Sequence, residues 1–157
     1  MQLDKFTDYA LRVLMLLAVR APARVPTSEI AALYGLSENH LAKVATRLAR
    51  EGFVTSGRGR GGGLSLARSA DQISLGAVVR ALKRDTPVAE CFGPNASCLI
   101  LPACGLRTPL AEAQAAFFNA LDAYPLANVT THRPALTELL GHRDEKLVAD
   151  RDPPSEP

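Results

Sequence analysis

The run "YGLSENHLAKVATRLAREG", residues 34–52, does most to limit what this chain can become. Gly35 can leave a helix in the left-handed region that other residues avoid. Two positions later Ser37 can cap a new helix by offering its hydroxyl to the open backbone donors of the first turn. Leu36 before the cap can pack on Leu41, which fixes the entry angle. Leu41, Val44, Ala45 and Leu48 then recur at three and four residues and form one buried stripe. Gly52 closes the helix. A short helix from Thr27 or Ser28, as cap, to Tyr34 precedes it, so the pair reads as helix-turn-helix. "FVTSGRGRGGGLSLA" follows directly, with Phe53–Thr55 and Leu64–Leu66 as two short strands around a glycine-rich tip. A hairpin placed there is a wing. No Gly-Lys-Ser/Thr follows these glycines and no helix opens from them, so a nucleotide-binding loop is excluded.

Charge agrees with a nucleic-acid partner. The net value is only +2, but residues 1–68 carry ten Lys/Arg against five Asp/Glu, and residues 69–157 carry eight against eleven. Between Lys43 and Arg68 the balance is six to one. A basic half of this kind is the electrostatic footprint of a DNA reader. On the outward face of the second helix, Ser37, Asn39, His40, Lys43 and Arg47 are candidate contacts. Asn can bond adenine in two places and Lys or Arg can bond guanine or phosphate. Arg58 and Arg60 on the wing tip suit a narrow minor groove.

Elsewhere the pattern is helical. "LDKFTDYALRVLMLLAVR" buries Leu3, Phe6, Ala10, Val13 and Leu17 on one stripe, which turns Asp8 away from the core, toward an i,i+4 pair with Arg12. "SLGAVVRALK" is another helix. After Thr108 as cap and Pro109 as first helical residue, Leu106, Leu110, Ala113, Phe117, Leu121 and Tyr124 recur close to a heptad, with alanines beside them. That seam reads as a dimerisation helix. The expected fold is therefore mainly α with a small β-hairpin: a winged helix-turn-helix domain over 1–84, a cysteine loop over 85–105, a dimerisation helix region over 106–131, and a mobile charged tail over 132–157.

All three cysteines, Cys91, Cys98 and Cys104, fall in "CFGPNASCLILPAC". No apolar run approaches the ~18–20 residues of a membrane span, and no secretory leader pattern opens the chain, so a cytoplasmic address is expected. In that compartment clustered cysteines bind metal or act in redox chemistry more often than they form disulfides. Six residues separate the first pair and five the second, a looser loop than the two-to-four-residue knuckles typical of structural zinc. The spacing favours an iron–sulfur cluster, with zinc and a bare thiol switch as alternatives. His40 belongs to the reading helix, and His132 and His142 lie far downstream, so the residues alone identify no fourth ligand. Nothing in the chain pairs a nucleophile with a base, and no enzyme is expected.

Taken together, "FTDYALRVLMLLA", "GLSENHLAKVATRLAREGFV", "GRGRGGGLSLAR", the three-cysteine loop and the long helix after it resemble the iron–sulfur winged-helix regulators over roughly residues 1–130. Within that group, which includes IscR-like and RirA-like proteins, these motifs resemble the NsrR-like nitric-oxide-sensing repressors. The resemblance implies a homodimer on double-stranded operator DNA. It further implies a cluster, 4Fe-4S before 2Fe-2S, held by Cys91, Cys98, Cys104 and by Asp8 from the other subunit. Nitric oxide would be the signal, and cluster nitrosylation would end operator binding. IscR-like proteins place a histidine three residues after the last cysteine, where this chain has Arg107. RirA-like iron sensors typically lack the helix-one aspartate present here. The wide gap between the first two cysteines leans toward the RirA pattern and keeps iron or cluster-status sensing as the alternative signal.

Overall fold

A computed structural model of the chain describes residues 3–57, 59, 61–83, 87–94 and 96–141. The elements run α1 (Lys5–Arg20), α2 (Thr27–Tyr34), α3 (Glu38–Arg50), β1 (Val54–Gly57), β2 (Gly63–Leu66), α4 (Leu75–Lys83), α5 (Arg107–Asp122) and α6 (Arg133–Gly141).

Helix α1 is the centre of the molecule, touching α3, α4, α6 and β2. Its buried set is wider than one stripe. Leu14 and Leu16 are fully buried beside Ala10, Val13 and Leu17, while Leu3 and Phe6 are only half-buried. A helix with neighbours on several sides cannot keep a polar face along its whole length. Asp4 caps its start, accepting a hydrogen bond from Thr7 N at 2.7 Å. Its far end is capped from a distance. Arg133 Nε donates to Val19 O at 2.9 Å and Arg133 Nη2 to Ala21 O at 2.8 Å, so a cation meets the negative end of the helix dipole.

Pro26 stands at the cap position of α2 and no side chain caps the helix, so neither Thr27 nor Ser28 serves as the cap expected of them. Gly35, at φ +62°, ends α2, and Leu36 N returns to Ala31 O at 2.9 Å. Ser37 caps α3 as expected, its Oγ accepting from His40 N at 3.2 Å. Leu41, Val44, Ala45 and Leu48 are the buried residues of α3.

The wing is an antiparallel pair with Val54 opposite Leu66 and Gly57 opposite Gly63; it leaves Phe53 outside and runs toward the tip two residues further on β1 and one further on β2 than the sequence pattern implies. Val25 joins it as a single-residue third strand, exchanging hydrogen bonds of 2.9 and 2.8 Å with Leu64. That pairing brings the Val25 carbonyl against Gly63, which sits at φ +139° and where any side chain would collide with backbone. Only glycine fits both demands.

Helix α5 begins at Arg107 with Leu106 at the cap and no side-chain cap, so Thr108 and Pro109 lie inside the first turn rather than starting it. A proline is tolerated anywhere in that turn because those N–H groups have no intrahelical acceptor. The helix ends before Pro125. Leu75 N donates to Tyr124 O at 3.0 Å and Leu126 N to Ile73 O at 2.8 Å, which staples this end to α4. Residues 133–141, read above as part of the tail, instead form α6, docked on α1. Residues 142–157 lie outside the described residues.

Candidate nucleic-acid interface and cysteine loop

At ~100° per residue, Asn39, Lys43, Thr46 and Arg50 fall within about 40° of the pole opposite α3's buried stripe. All four are exposed. With Ala42 and the rim formed by Arg47 they line an open hollow of ≈ 510 Å³. Ser37 is exposed at the helix start. Two other expected contacts behave differently. His40 lies on the flank of the helix, its ring edge-on to Tyr9 at 5.6 Å and tilted against Phe6 at 6.3 Å. Arg47, on the same flank, donates from Nη2 to Ala81 O at 2.9 Å and sits 3.3 Å from the Glu51 carboxylate. Its side chain is 19% exposed, so although it edges the hollow its guanidinium is engaged by the protein. A wheel that separates only inside from outside misses this middle zone.

Arg58 and Arg60 lie outside the described residues. The stem that carries them is held by the Val54–Leu66 register and by a Thr55 Oγ1–Ser65 Oγ hydrogen bond of 2.9 Å. Arg24 is a further cation that sequence reasoning missed. Its Nη1 donates to Gly63 O at 3.4 Å, at the root of the wing, because the Val25–Leu64 pairing carries it there.

The cysteine loop contains two single 3-10 turns, Glu90–Phe92 and Leu101–Ala103, separated by irregular chain. Cys91, Cys98 and Cys104 are free thiols, each half-buried. Among the described residues no three His, Cys, Asp or Glu side chains converge at metal-binding distance. As a donor set, three uncombined soft thiols suit an iron–sulfur cluster. The Arg107 guanidinium lies 5.4 Å from the centre of the Phe92 ring, closing the mouth of the loop near its first and last cysteines. At its tip Leu99 and Ile100 are 94% and 62% exposed.

Asp8 sits one turn into α1 on the side away from the core and is half-exposed. Within the protomer Arg12 holds it in a two-point pair of 2.8 and 3.1 Å. Tyr34 donates its hydroxyl to Arg12 O at 2.9 Å, which joins α2 to this stretch. Burial pushes the Tyr34 phenol up to about 12, against an opposing pull from the Arg12 charge. At the same end of α1, Lys83 Nζ lies 2.8 Å from Asp4 Oδ2. Burial alone would raise the Asp4 carboxyl, but the hydrogen bonds from Lys83 and Thr7 outweigh it and hold it below its ordinary value.

Helix α5 includes Leu110, Ala113, Phe117 and Leu121 of the expected seam and contains no buried residue in its sixteen positions. Leu106 and Tyr124 at its ends are 61% and 52% exposed. It is fastened to α4 by Arg80, whose Nη1 and Nη2 meet Asp122 at 3.1 and 2.7 Å and whose guanidinium covers Phe118 at 5.0 Å. No helix among the described residues is long and apolar enough to cross a membrane.

Known proteins place this architecture. The family model for Rrf2, described as an iron-dependent transcriptional regulator, matches residues 3–132. The HTH-type transcriptional regulator NsrR of Geobacillus kaustophilus (strain HTA426) is 41% identical over 145 residues, covering 91% of this chain and 99% of the relative. NsrR of Bacillus subtilis (strain 168) is 41% identical over 142 residues, covering 89% and 97%. Among solved structures, T. potens IscR superposes with a TM-score of 0.66 at 22% identity, over 84% of this chain and 88% of that one. CymR, the global cysteine regulator of B. subtilis, gives 0.65 at 23% identity, over 84% and 98%. At those identities the two structures speak for the winged-helix fold alone. The relatives are regulators of transcription and not enzymes. A capped reading helix, a wing, a three-thiol loop and an unburied helix after it thus find their counterpart: the chain belongs to the Rrf2 family of transcriptional regulators, among its NsrR-like members.

Proposed function

We propose that this regulator works as a homodimeric repressor on double-stranded operator DNA, and that nitric oxide is the signal that ends its binding. Cys91, Cys98 and Cys104 of one protomer, with Asp8 of the partner subunit, would hold an iron–sulfur cluster, 4Fe-4S rather than 2Fe-2S. The observation that carries this reading is the placement of three uncombined thiols on one loop that runs straight into a helix with no buried residue. Sensor and pairing surface are then one continuous stretch of chain. The likeness to regulators named NsrR supports nitric oxide as the signal. When bound, the cluster supplies iron with which nitric oxide reacts.

The chain's own residues account for the rest. Asn39, Lys43 and Arg50 present base-reading and phosphate-binding groups on the exposed pole of α3, with Ser37 at its start. Arg58 and Arg60 would supply the minor-groove contacts, carried by a wing whose stem also pairs with Val25. The seam of α5, from Leu106 to Tyr124, faces a second copy, which fixes the distance between two reading helices and so selects the half-site spacing. Asp8, half-exposed and outside the core, is available to a partner once Arg12 yields it. Iron status remains a second reading of the same site, favoured by the family's description as iron-dependent.

Protein purified without oxygen should contain iron and sulfide and run as a dimer. Its operator affinity, followed by fluorescence anisotropy, should fall on stoichiometric nitric oxide and respond far less to mild iron chelation. The opposite ranking would favour iron sensing. Tight operator recognition by dimers free of iron and sulfide would refute the cluster reading.

A further inference from the structure

Two charged side chains fasten separate parts of the molecule to one turn of helix. The last four carbonyls of α4 have no intrahelical partner, and Ala81 O is among them. Arg47, near the end of the reading helix, donates to it at 2.9 Å while its Nε lies 3.3 Å from Glu51 Oε1. The Arg47 and Glu51 side chains are 19% and 12% exposed, so this link is shielded from water. Two residues later Lys83, 14% exposed, reaches Asp4 at 2.8 Å. Asp4 caps α1, whose next residues include Asp8. Cys91 follows Lys83 by eight positions. The turn from Ala81 to Lys83 is therefore the root of the cysteine loop, the anchor of the helix that carries Asp8, and the anchor of the reading helix.

We infer that Arg47 and Lys83 are positioning residues that set the orientation of α3 according to the state of the cysteine loop, and that Arg47 is not a DNA contact. This rests on the cluster reading above. Hydrogen bonds from a charged donor are roughly twice as strong as neutral ones, and shielding from water strengthens their electrostatic part further. Coupling requires that the two states of an element differ in their contacts. Here a shift of one α4 turn changes the seat of α3 through Arg47 and the seat of α1 through Lys83.

The test compares operator affinity of the cluster-loaded dimer with that of the same protein stripped of iron. Couplings between sites typically amount to about 5–150-fold, and the wild type should fall in that range. Arg47→Met keeps the aliphatic stem and removes the donors. It should retain iron and sulfide content and the salt dependence of the stripped protein's DNA binding, while the loaded-to-stripped ratio collapses toward one. Arg47→Lys should restore part of it. Lys83→Met breaks the second tie without touching α3 and should lower the ratio too, which decides the matter if Arg47→Met fails to fold. Variants that keep the wild-type ratio overturn the relay. So does an Arg47→Met protein that binds more weakly in both states and loses about one unit of salt slope, since that marks a phosphate contact. A wild type whose affinity ignores the cluster refutes the cluster reading itself.

Discussion

Gly76→Ala sets two opposing terms against each other at one atom. Gly76 is buried where α4 meets the end of α5. A Cβ built there would lie 2.6 Å from the backbone N of Asp122 and would collide with that residue's carboxylate. Alanine in place of glycine gains roughly 1 kcal/mol of helix propensity. Crowding a packed contact costs about 1–3 kcal/mol, and the upper half applies because a backbone nitrogen cannot rotate aside. Moving Asp122 also disturbs its hydrogen bonds with Arg80 and Ser74. The net expectation is a loss of about 1–2 kcal/mol. For a chain of this size that is a fall in Tm of roughly 2–8 °C. Calorimetry should be run at one fixed chain concentration, since the proposed pairing would make Tm depend on it. Gly105→Ala is the control, because a Cβ there meets nothing within 4 Å. A Gly76→Ala protein that melts with the wild type, or above it, would show that the α4–α5 approach is not as close as described.

The Tyr34 phenol, raised to about 12 by burial, stays protonated in the folded chain where the unfolded chain begins to ionise near 10. Its contribution to stability is thus complete below about pH 10 and disappears as the pH climbs toward 12. Ultraviolet titration should show a late tyrosinate step that Tyr34→Phe abolishes; identical curves would contradict the burial. Lys43→Ala should weaken operator and unrelated DNA alike and reduce the salt slope by about 0.9, whereas a loss confined to the operator would assign Lys43 to base reading.

What could be read from the chain alone was set by spacing along it. The Ser37 cap, the Gly35 exit and the Leu41, Val44, Ala45 and Leu48 stripe involve partners within five residues, so local rules suffice. The wing is legible because its partners, at most twelve residues apart, flank a single glycine-rich turn. A helical wheel puts Arg47 outside because it knows poles and not neighbours; its partner Ala81 is 34 residues away and appears only when α4 packs. Asp4 and Lys83 meet across 79 residues, and Arg133 reaches Val19 across 114, contacts that no local pattern over 133–141 announces. The cysteine loop shows the converse limit. Its residue types announce chemistry, but a stretch made of isolated turns has no periodicity from which to derive where its thiols point.

The reach of Arg133 to the end of α1 has a consequence for how the chain is made. The first helix is synthesised before the groups that close its last turn, which lie 112 and 114 residues downstream of the carbonyls they meet. A premature stop between 106 and 132 would spare every residue of the reading head and still leave the last carbonyls of that helix without the Arg133 donors. Such a truncated product would be vulnerable to proteolysis for a reason invisible in the part of the protein it retains.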